Sequence, residues 1–530
     1  MANFRVLVSD PISEQGLASL LEAEEVTVDI RTDLTPDTLL QVIGSYDALL
    51  VRSQTKVTAE VIQAGVNLRA IGRAGVGVDN IDVTAATQRG VIVINAPDGN
   101  TISTCEHTFA MLLSLARKIP QAHGRLKAGD WDRKSFVGVE LNGKTLGILG
   151  FGRIGSEVAK RALAFNMRVL AYDPFLTRER AEKLGVIMSS IEEIVEGADF
   201  ITVHTPLIKE TKHLLSSEQF ARMKPGVRVL NCARGGIIDE AALVEAVQSG
   251  KVAGAALDVF EVEPATLANR LVQLDEVIIT PHLGASTEEA QINVAIDVGR
   301  ELLHILRDQS FKNAVNLPSL SDEAMRTISP YVTLAEKAGR LAASLATGSI
   351  QKIEMIYAGK LADKQTDPLT RSILKGLLGY HHGEEVNYVN APFLAEQHRI
   401  RLTETKTSRH DLYADLLQVN VHTETSSVTI AGTLIADLGP RIVQIDDFKV
   451  DLAPEGTLLM TEHLDQPGMI GKVGTLLGGA NVNIASMQVA RRQVGGLALM
   501  ILTVDKVLDA DTLARIESIE GIHRVREVTI

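Results

Sequence analysis

The chain has 530 residues, 45% of them hydrophobic and 22% charged, with a net charge of −13. That length exceeds a single core, so three or four domains are expected, and the acidic balance argues against non-specific binding to nucleic acid or an anionic membrane. Cys105 and Cys232 are the only cysteines, which rules out a Cys-rich metal site, argues against a disulfide framework and fits a reducing compartment.

No apolar run reaches the ~18 residues of a membrane span. The opening "MANFRVLVSDPI" reads as a first strand, not as a signal core or transit segment, so a cytoplasmic location is expected. Short apolar strands are predicted at 4–9, 46–51, 69–72 and 91–95, alternating with helices. That alternation implies a parallel sheet covered by helices. A helix is predicted over 104–118, followed by a segment with the only tryptophan, Trp131. "LGILGFGRIG" (146–155) then starts a second run of strands, at 168–172, 200–204, 228–231, 253–258 and 277–280. A helix over 287–307 is read as returning the chain to the first domain, so the second is inserted into it. Region 318–452 shows strands in "SVTIAGTLI" and "RIVQID" but no cluster with obvious chemistry. The last eighty or so residues read as strand 457–464, helix 468–479, strands 482–490 and 497–504, helix 510–518 and strand 523–529. This βαββαβ order is the ferredoxin-like plan.

The glycine loop carries the first chemical signal. Gly150, Gly152 and Gly155 follow a strand and open a helix predicted over 156–165, and Asp173 ends the next strand 23 residues after Gly150. The first glycine permits a tight turn, the second lets a pyrophosphate approach the backbone, and the third lets helix and strand pack closely. Unpaired N–H groups at the helix start face the phosphates. Asp173 can accept from the adenosine ribose hydroxyls and would repel a 2′-phosphate, which favours NAD; nearby Arg178 keeps NADP open. The competing reading is a purely structural glycine turn.

Three polar residues then follow three strands: Arg234 in "VRVLNCARGG", Glu263 in "ALDVFEVEP" and His282 after "VIITP". Strand ends of a parallel sheet share one edge, where ligands bind. Hydride transfer at a 2-hydroxy acid suits this set. Arg234 can bind the carboxylate, His282 can take and return the hydroxyl proton, and Glu263 can fix the imidazole tautomer. Against this, a histidine after a proline is usually structural and a loop arginine usually makes a surface pair.

"GRAGVGVDNID", "LGILGFGRIG", "VHTPL", "NCARGG", "ALDVFEVEP" and "TPHLGAST", in that order, resemble the D-isomer-specific 2-hydroxyacid dehydrogenases. Over its whole length the chain resembles their long-form, 3-phospho-D-glycerate-oxidising branch. The resemblance implies an α/β fold of two Rossmann-like parallel-sheet domains, substrate-binding (1–97 with 286–317) and inserted NAD-binding (98–285). An intervening α/β domain (318–452) and a ferredoxin-like ACT domain (453–530) follow. It implies Arg234 as substrate arginine, Glu263 and His282 as acid–base pair, and Asp258 as the carboxylate orienting the nicotinamide amide. Val76, Arg153, Ile154, Asp173, Thr205, Cys232, Ala233, Leu283, Gly284 and Ala285 match further NAD-contacting positions. Arg52, Ser53, Gly75, Val76 and Asn100 match substrate-contacting ones, with backbone N–H groups of "AGVG" available to an anion. Arg133 and Lys134 are weaker candidates for reaching a neighbouring subunit.

In the tail, "HLDQPGMIGKVGTLL" and "NVNIASM" resemble the ACT effector loop and its next strand. His463 and Asn483 match serine-contacting positions, and Asp465 replaces an asparagine common there. L-Serine as effector and a homotetramer are the family expectations; a domain that only joins subunits is the alternative. The competing functions are a glyoxylate or hydroxypyruvate reductase, whose chains typically end near "NAVNLP", and an NADH-sensing binding protein, which lacks such a tail.

Overall fold

A computed structural model describes residues 3–318, 322–408 and 412–530, arranged around four sheets. The first is parallel, in the order β2-β1-β3-β4-β5, with β1 (Phe4–Val8), β2 (Val26–Ile30), β3 (Ala48–Val51), β4 (Ala70–Arg73) and β5 (Ile92–Asn95). Every residue of β3 is buried, because helices cover both faces of such a sheet. The edge strand β2 is absent from the sequence reading. Its "VTVDI" carries no fully buried residue and so lacks the apolar run that marks its neighbours.

The second sheet is also parallel, in the order β12-β11-β10-β9-β6-β7-β8. Its strands are β6 (Thr145–Leu149), β7 (Arg168–Tyr172), β8 (Ile187–Met188), β9 (Phe200–Val203), β10 (Val227–Asn231), β11 (Val252–Leu257) and β12 (Val277–Ile279). The order reverses between β6 and β9, and crevices at such switch points hold ligands.

Helix α1 (Thr101–Arg117) carries the chain from the first sheet to the second, where Cys105, Phe109, Leu112 and Leu115 pack with Leu146 and Ile148. Helix α2 (Arg153–Ala164) follows β6. Helix α3 (Glu288–Leu306) comes back, burying Val294, Val298 and Leu302 against Val6, Val8, Ala70 and Ile94 of the first sheet. Gly72 lets it lie close, since a Cβ there would sit 2.5 Å from Val298. The two crossings touch where Ser103 Oγ and Thr287 Oγ1 are 2.7 Å apart.

The C-terminal part holds a mixed six-stranded sheet, β14-β13-β15-β16-β17-β18, and a four-stranded antiparallel one, β20-β21-β19-β22. The first contains β13 (Ile350–Gly359), β14 (Arg401–Thr407), β15 (Asp415–Thr423), β16 (Ser427–Ile435), β17 (Gly439–Ile445) and β18 (Phe448–Leu452). Helices α4 (Asp322–Leu345) and α5 (Asp367–His382) pack on it. The second contains β19 (Thr457–Leu464), β20 (Ile484–Arg491), β21 (Leu497–Val504) and β22 (Ile522–Thr529), with α6 (Met469–Gly479) and α7 (Ala510–Glu517) in βαββαβ order. One face of this small sheet meets its own helices. The other, through Leu458, Met460, Leu499, Ile501 and Val528, joins the core of the six-stranded sheet. Among the described residues no helix is long and apolar enough to cross a membrane.

Leu302 is fully buried where α3 meets the first sheet. Leu302→Ala is therefore expected to cost about 2–5 kcal/mol, against about 0.5 kcal/mol or less for Val66→Ala on the exposed surface. Urea unfolding of the two variants checks this.

Candidate active site

The glycine loop has the geometry of a phosphate cradle. Gly150 sits at φ +96°, and a Cβ there would lie 2.6 Å from the His204 carbonyl. A Cβ on Gly155 would lie 2.2 Å from the Gly150 carbonyl, so strand and helix meet there with no room for a side chain. Gly152 faces open space instead, and it precedes α2 with no side-chain cap. The first N–H groups of that helix are thus left for an anion. Asp173 at the end of β7 accepts from the N–H groups of Phe151 (2.9 Å) and Phe175 (2.8 Å), and a carboxylate so bonded keeps lone pairs for ribose hydroxyls. Beside the loop, Thr205 Oγ1 is buried with no hydrogen-bond partner. An open backbone face, an uncapped helix, an anchored carboxylate and an orphaned hydroxyl together fit a dinucleotide. Arg153 pairs with Asp98, and Ile154 is the next residue of α2.

At the ends of β10, β11 and β12 the polar residues converge. His282 Nδ1 lies 2.9 Å from Glu263 Oε2, and Glu263 Oε1 accepts from the Phe260 N–H at 3.0 Å. Because the carboxylate only accepts, Nδ1 carries the proton and the neutral ring presents its lone pair at Nε2. The Glu263 hydrogen bond raises the His282 pKa against the opposing effect of burial. Burial would lift the Glu263 pKa, but bonds from His282 and the Phe260 N–H hold it below the ordinary carboxylate value. His282 sits at φ +55°, a left-handed conformation of the kind that clusters at functional sites.

Asp258, 1% exposed, organises the same turn. Its carboxylate accepts from Leu283 N–H (2.7 Å), Gly284 N–H (2.8 Å) and Thr280 Oγ1 (2.6 Å), and its carbonyl accepts the His282 N–H at 2.9 Å. Burial alone would raise its pKa; bonds from His107, Thr280 and Leu283 outweigh that and lower it. Ala285 follows on this segment.

Arg234 is set by Asn231, whose side chain accepts from Ala233 N–H (3.0 Å) and donates to the Arg234 carbonyl (2.8 Å). Its guanidinium reaches across to Asp79 of the first lobe at 3.3 Å. A Cβ on Gly235 would lie 1.8 Å from the Phe260 carbonyl, so the arginine loop and the Glu263 loop pack backbone to backbone. Cys232 is buried, and burial pushes its thiol up to about 12, so it stays protonated near neutral pH.

The first lobe supplies further cations. The Asp10 carboxylate accepts from the N–H groups of Arg52 (2.7 Å), Gln54 (3.2 Å) and Thr55 (3.0 Å), which shapes the loop bearing Ser53. Arg73, absent from the sequence reading, donates through Nε to the Arg52 carbonyl at 3.1 Å. Burial, then the like charges of Arg234 and Arg52, pull its pKa down to about 10. Gly75 and Gly77 make room for these guanidiniums: a Cβ would meet Arg73 Nη1 at 1.9 Å and Arg234 Nη2 at 2.1 Å. The Val76 carbonyl accepts from Asn95. Asn100, at the start of α1, has a buried Oδ1 with no partner. The signal for Arg73 was legible only as a charge ending an apolar strand.

The three effector candidates do not converge within one chain. His463 is buried, and Asp465 accepts from Arg491 Nη1 (3.1 Å) and Gly495 N–H (3.0 Å). Asn483 donates to Asp505 at 2.9 Å. His463 pairs with Ala498 at one end of β21, whereas Asn483 precedes Ile484, which pairs with Val504 at the other. Six residues of strand separate those ends, about 20 Å.

Comparison with known proteins agrees with this architecture. Residues 109–284 match the D-isomer specific 2-hydroxyacid dehydrogenase, NAD binding domain; 327–446 match the D-3-phosphoglycerate dehydrogenase intervening domain; 457–521 match the ACT domain. A D-3-phosphoglycerate dehydrogenase of Bacillus subtilis is 47% identical, covering 99% of this chain and 100% of that protein. Its counterpart from Archaeoglobus fulgidus is 46% identical, covering 98% of both. Among solved structures, D-lactate dehydrogenase from Aquifex aeolicus, complexed with NAD and lactic acid, aligns with a TM-score of 0.53 at 31% identity, covering 59% of this chain and all of that one.

The Glu263–His282 contact stabilises the charged imidazole. That contribution is present below the ordinary histidine pKa and fades as pH rises through the raised one; on the carboxylate side it fades as pH falls through the lowered Glu263 value. Glu263→Gln is expected to lower the His282 pKa, measured by NMR titration of the imidazole. An unchanged value would mean the pair is not coupled.

Proposed function

The chain belongs to the D-3-phosphoglycerate dehydrogenases, within the D-isomer-specific 2-hydroxyacid dehydrogenases, and on that premise we propose how its own residues carry the reaction. The protein is an NAD-dependent oxidoreductase that converts 3-phospho-D-glycerate to 3-phosphooxypyruvate, the first step of L-serine biosynthesis. NAD, when bound, supplies the hydride acceptor. Gly152 and the α2 N-terminus would hold its pyrophosphate, Asp173 its ribose, and Asp258 with the 283–285 backbone its nicotinamide end. Residues 1–97 with 286–317 form the substrate lobe, 98–285 the NAD lobe, 318–452 the intervening domain and 453–530 the ACT domain.

Arg234 binds the substrate carboxylate bidentately and fixes the 2-carbon. His282 Nε2 takes the 2-hydroxyl proton as that carbon is oxidised, and in reverse the imidazolium returns it. Glu263 holds the ring and stabilises the imidazolium between the two half-events. Arg52 and Arg73 receive the phosphate. The observation that carries this reading is the gathering of cations in the cleft: Arg73 feels the like charges of Arg234 and Arg52, with Asp79 and Asp10 as the carboxylates beside them. A phosphorylated hydroxy acid brings an anion for the Arg52–Arg73 pair as well as a carboxylate for Arg234; an unphosphorylated one brings only the carboxylate.

Two further assignments belong to the same reading. The helix Ile119–Lys127 buries none of its residues, and Ile119, Leu126, Trp131 and Val137 lie exposed along it and the following loop beside Arg133 and Lys134. We assign this arm to a contact with a second copy, within a homotetramer. L-Serine is assigned to the ACT domain, where Asn483 would face His463 and Asp465 across two chains. Both thiols are free and buried, which suits a cytoplasmic setting.

Purified protein should oxidise NADH with 3-phosphooxypyruvate, followed at 340 nm, and respond to millimolar L-serine; insensitivity would remove the serine assignment alone. Arg52→Ala should raise KM for the phosphorylated substrate at least about tenfold and leave turnover of an unphosphorylated hydroxy acid nearly unchanged. Equal loss on both substrates would contradict the phosphate role. Trp131→Glu should lower the molar mass seen by light scattering; an intact assembly would place the contact elsewhere.

A further inference from the structure

We propose that His107 is a positioning residue for the catalytic turn, acting through Asp258 to hold His282 in its working conformation. The inference rests on the reading of His282 as proton carrier. His107 lies on α1, with Nε2 3.2 Å from Asp258 Oδ1 and 3.1 Å from Thr280 Oγ1. Its partners determine which nitrogen carries the proton. Thr280 spends its only hydroxyl proton on Asp258 Oδ1 at 2.6 Å, so its oxygen can only accept. The ionised carboxylate accepts as well. Nε2 therefore bears the hydrogen and donates it to the pair.

The consequence reaches His282 through backbone bonds on both sides. The Asp258 carboxylate holds the N–H groups of Leu283 and Gly284, immediately after His282, while its carbonyl holds the N–H of His282 itself. These bonds keep a non-glycine residue at φ +55°, a conformation that persists only where its surroundings over-determine it. Asp258 is 1% exposed, so bulk water cannot readily replace a lost donor, and without His107 the carboxylate would be positioned by Thr280 and the turn's own N–H groups alone. His107 also sits one turn beyond Ser103, which meets Thr287 where the chain crosses between lobes. The helix that joins the lobes thus has a direct hold on the turn that moves the proton.

Steady-state kinetics of full-length His107→Leu, His107→Gln and His107→Asn test this. A glutamine amide reaches the Nε2 position; an asparagine amide reaches only Nδ1. Leucine and asparagine are expected to lower kcat about tenfold or more, because small misplacements of reacting groups are costly. KM for 3-phospho-D-glycerate should stay within about twofold, since the arginines are untouched, and glutamine should restore kcat to within about threefold of the parent. Parent-like kcat in the leucine variant, or equal losses with glutamine and leucine, would overturn the proposal. If the leucine variant fails to fold, equal kcat for glutamine and asparagine does so. A parent protein inactive on phosphoglycerate would instead overturn the functional reading, which separates the two failures.

Discussion

The parallel ladder that aligns Asn231, Leu257 and Ile279 side by side is the constraint on which the rest depends. Hydrogen bonds between adjacent strands fix the register there, since most residues of all three strands are buried and a one-residue slip would turn every side chain to the other face. Each chemical group then follows its strand by a short, braced excursion: Arg234 by way of Asn231, His282 by way of Asp258, and Glu263 by folding back on the Phe260 N–H. The contact between Gly235 and the Phe260 carbonyl locks two of these excursions together. A guanidinium, a carboxylate and an imidazole from distant stretches of sequence meet because a sheet edge brings them together and buried polar side chains keep them there.

Local rules made much of this legible in the sequence. A glycine loop between a strand and a helix, followed by an acid at the next strand end, states its own geometry, and Gly150, Gly155 and Asp173 occupy the positions that rule assigns. Apolar runs found the buried strands for the same reason. What escaped depends on partners far along the chain. β2 is recognisable only by its pairing with β1, and Arg73 matters only because Arg52, Gly75 and Arg234 surround it. His107 looks like any polar residue on a helix until Asp258 and Thr280 are placed against it. The separation of Asn483 from His463 is a matter of strand direction, which a motif does not encode.

The two lobes and the C-terminal part meet differently. Between the lobes the chain crosses twice and is bridged by polar contacts, the Arg234–Asp79 ion pair and the Ser103–Thr287 hydroxyl pair. Asn387 donates to the Gly90 carbonyl at 2.8 Å, linking the region of the six-stranded sheet to the first lobe through a single helix end. The polar contacts suit parts that move; the shared apolar core of the last two sheets suits parts that do not.

That shared core also limits how such a chain can be rearranged. Both faces of the small sheet are occupied, so removing it would strip the cover from Leu345, Phe448 and Leu452 and leave an oily wound on what remained. A division of the chain into separate parts would therefore have one clean seam, ahead of α4, rather than two.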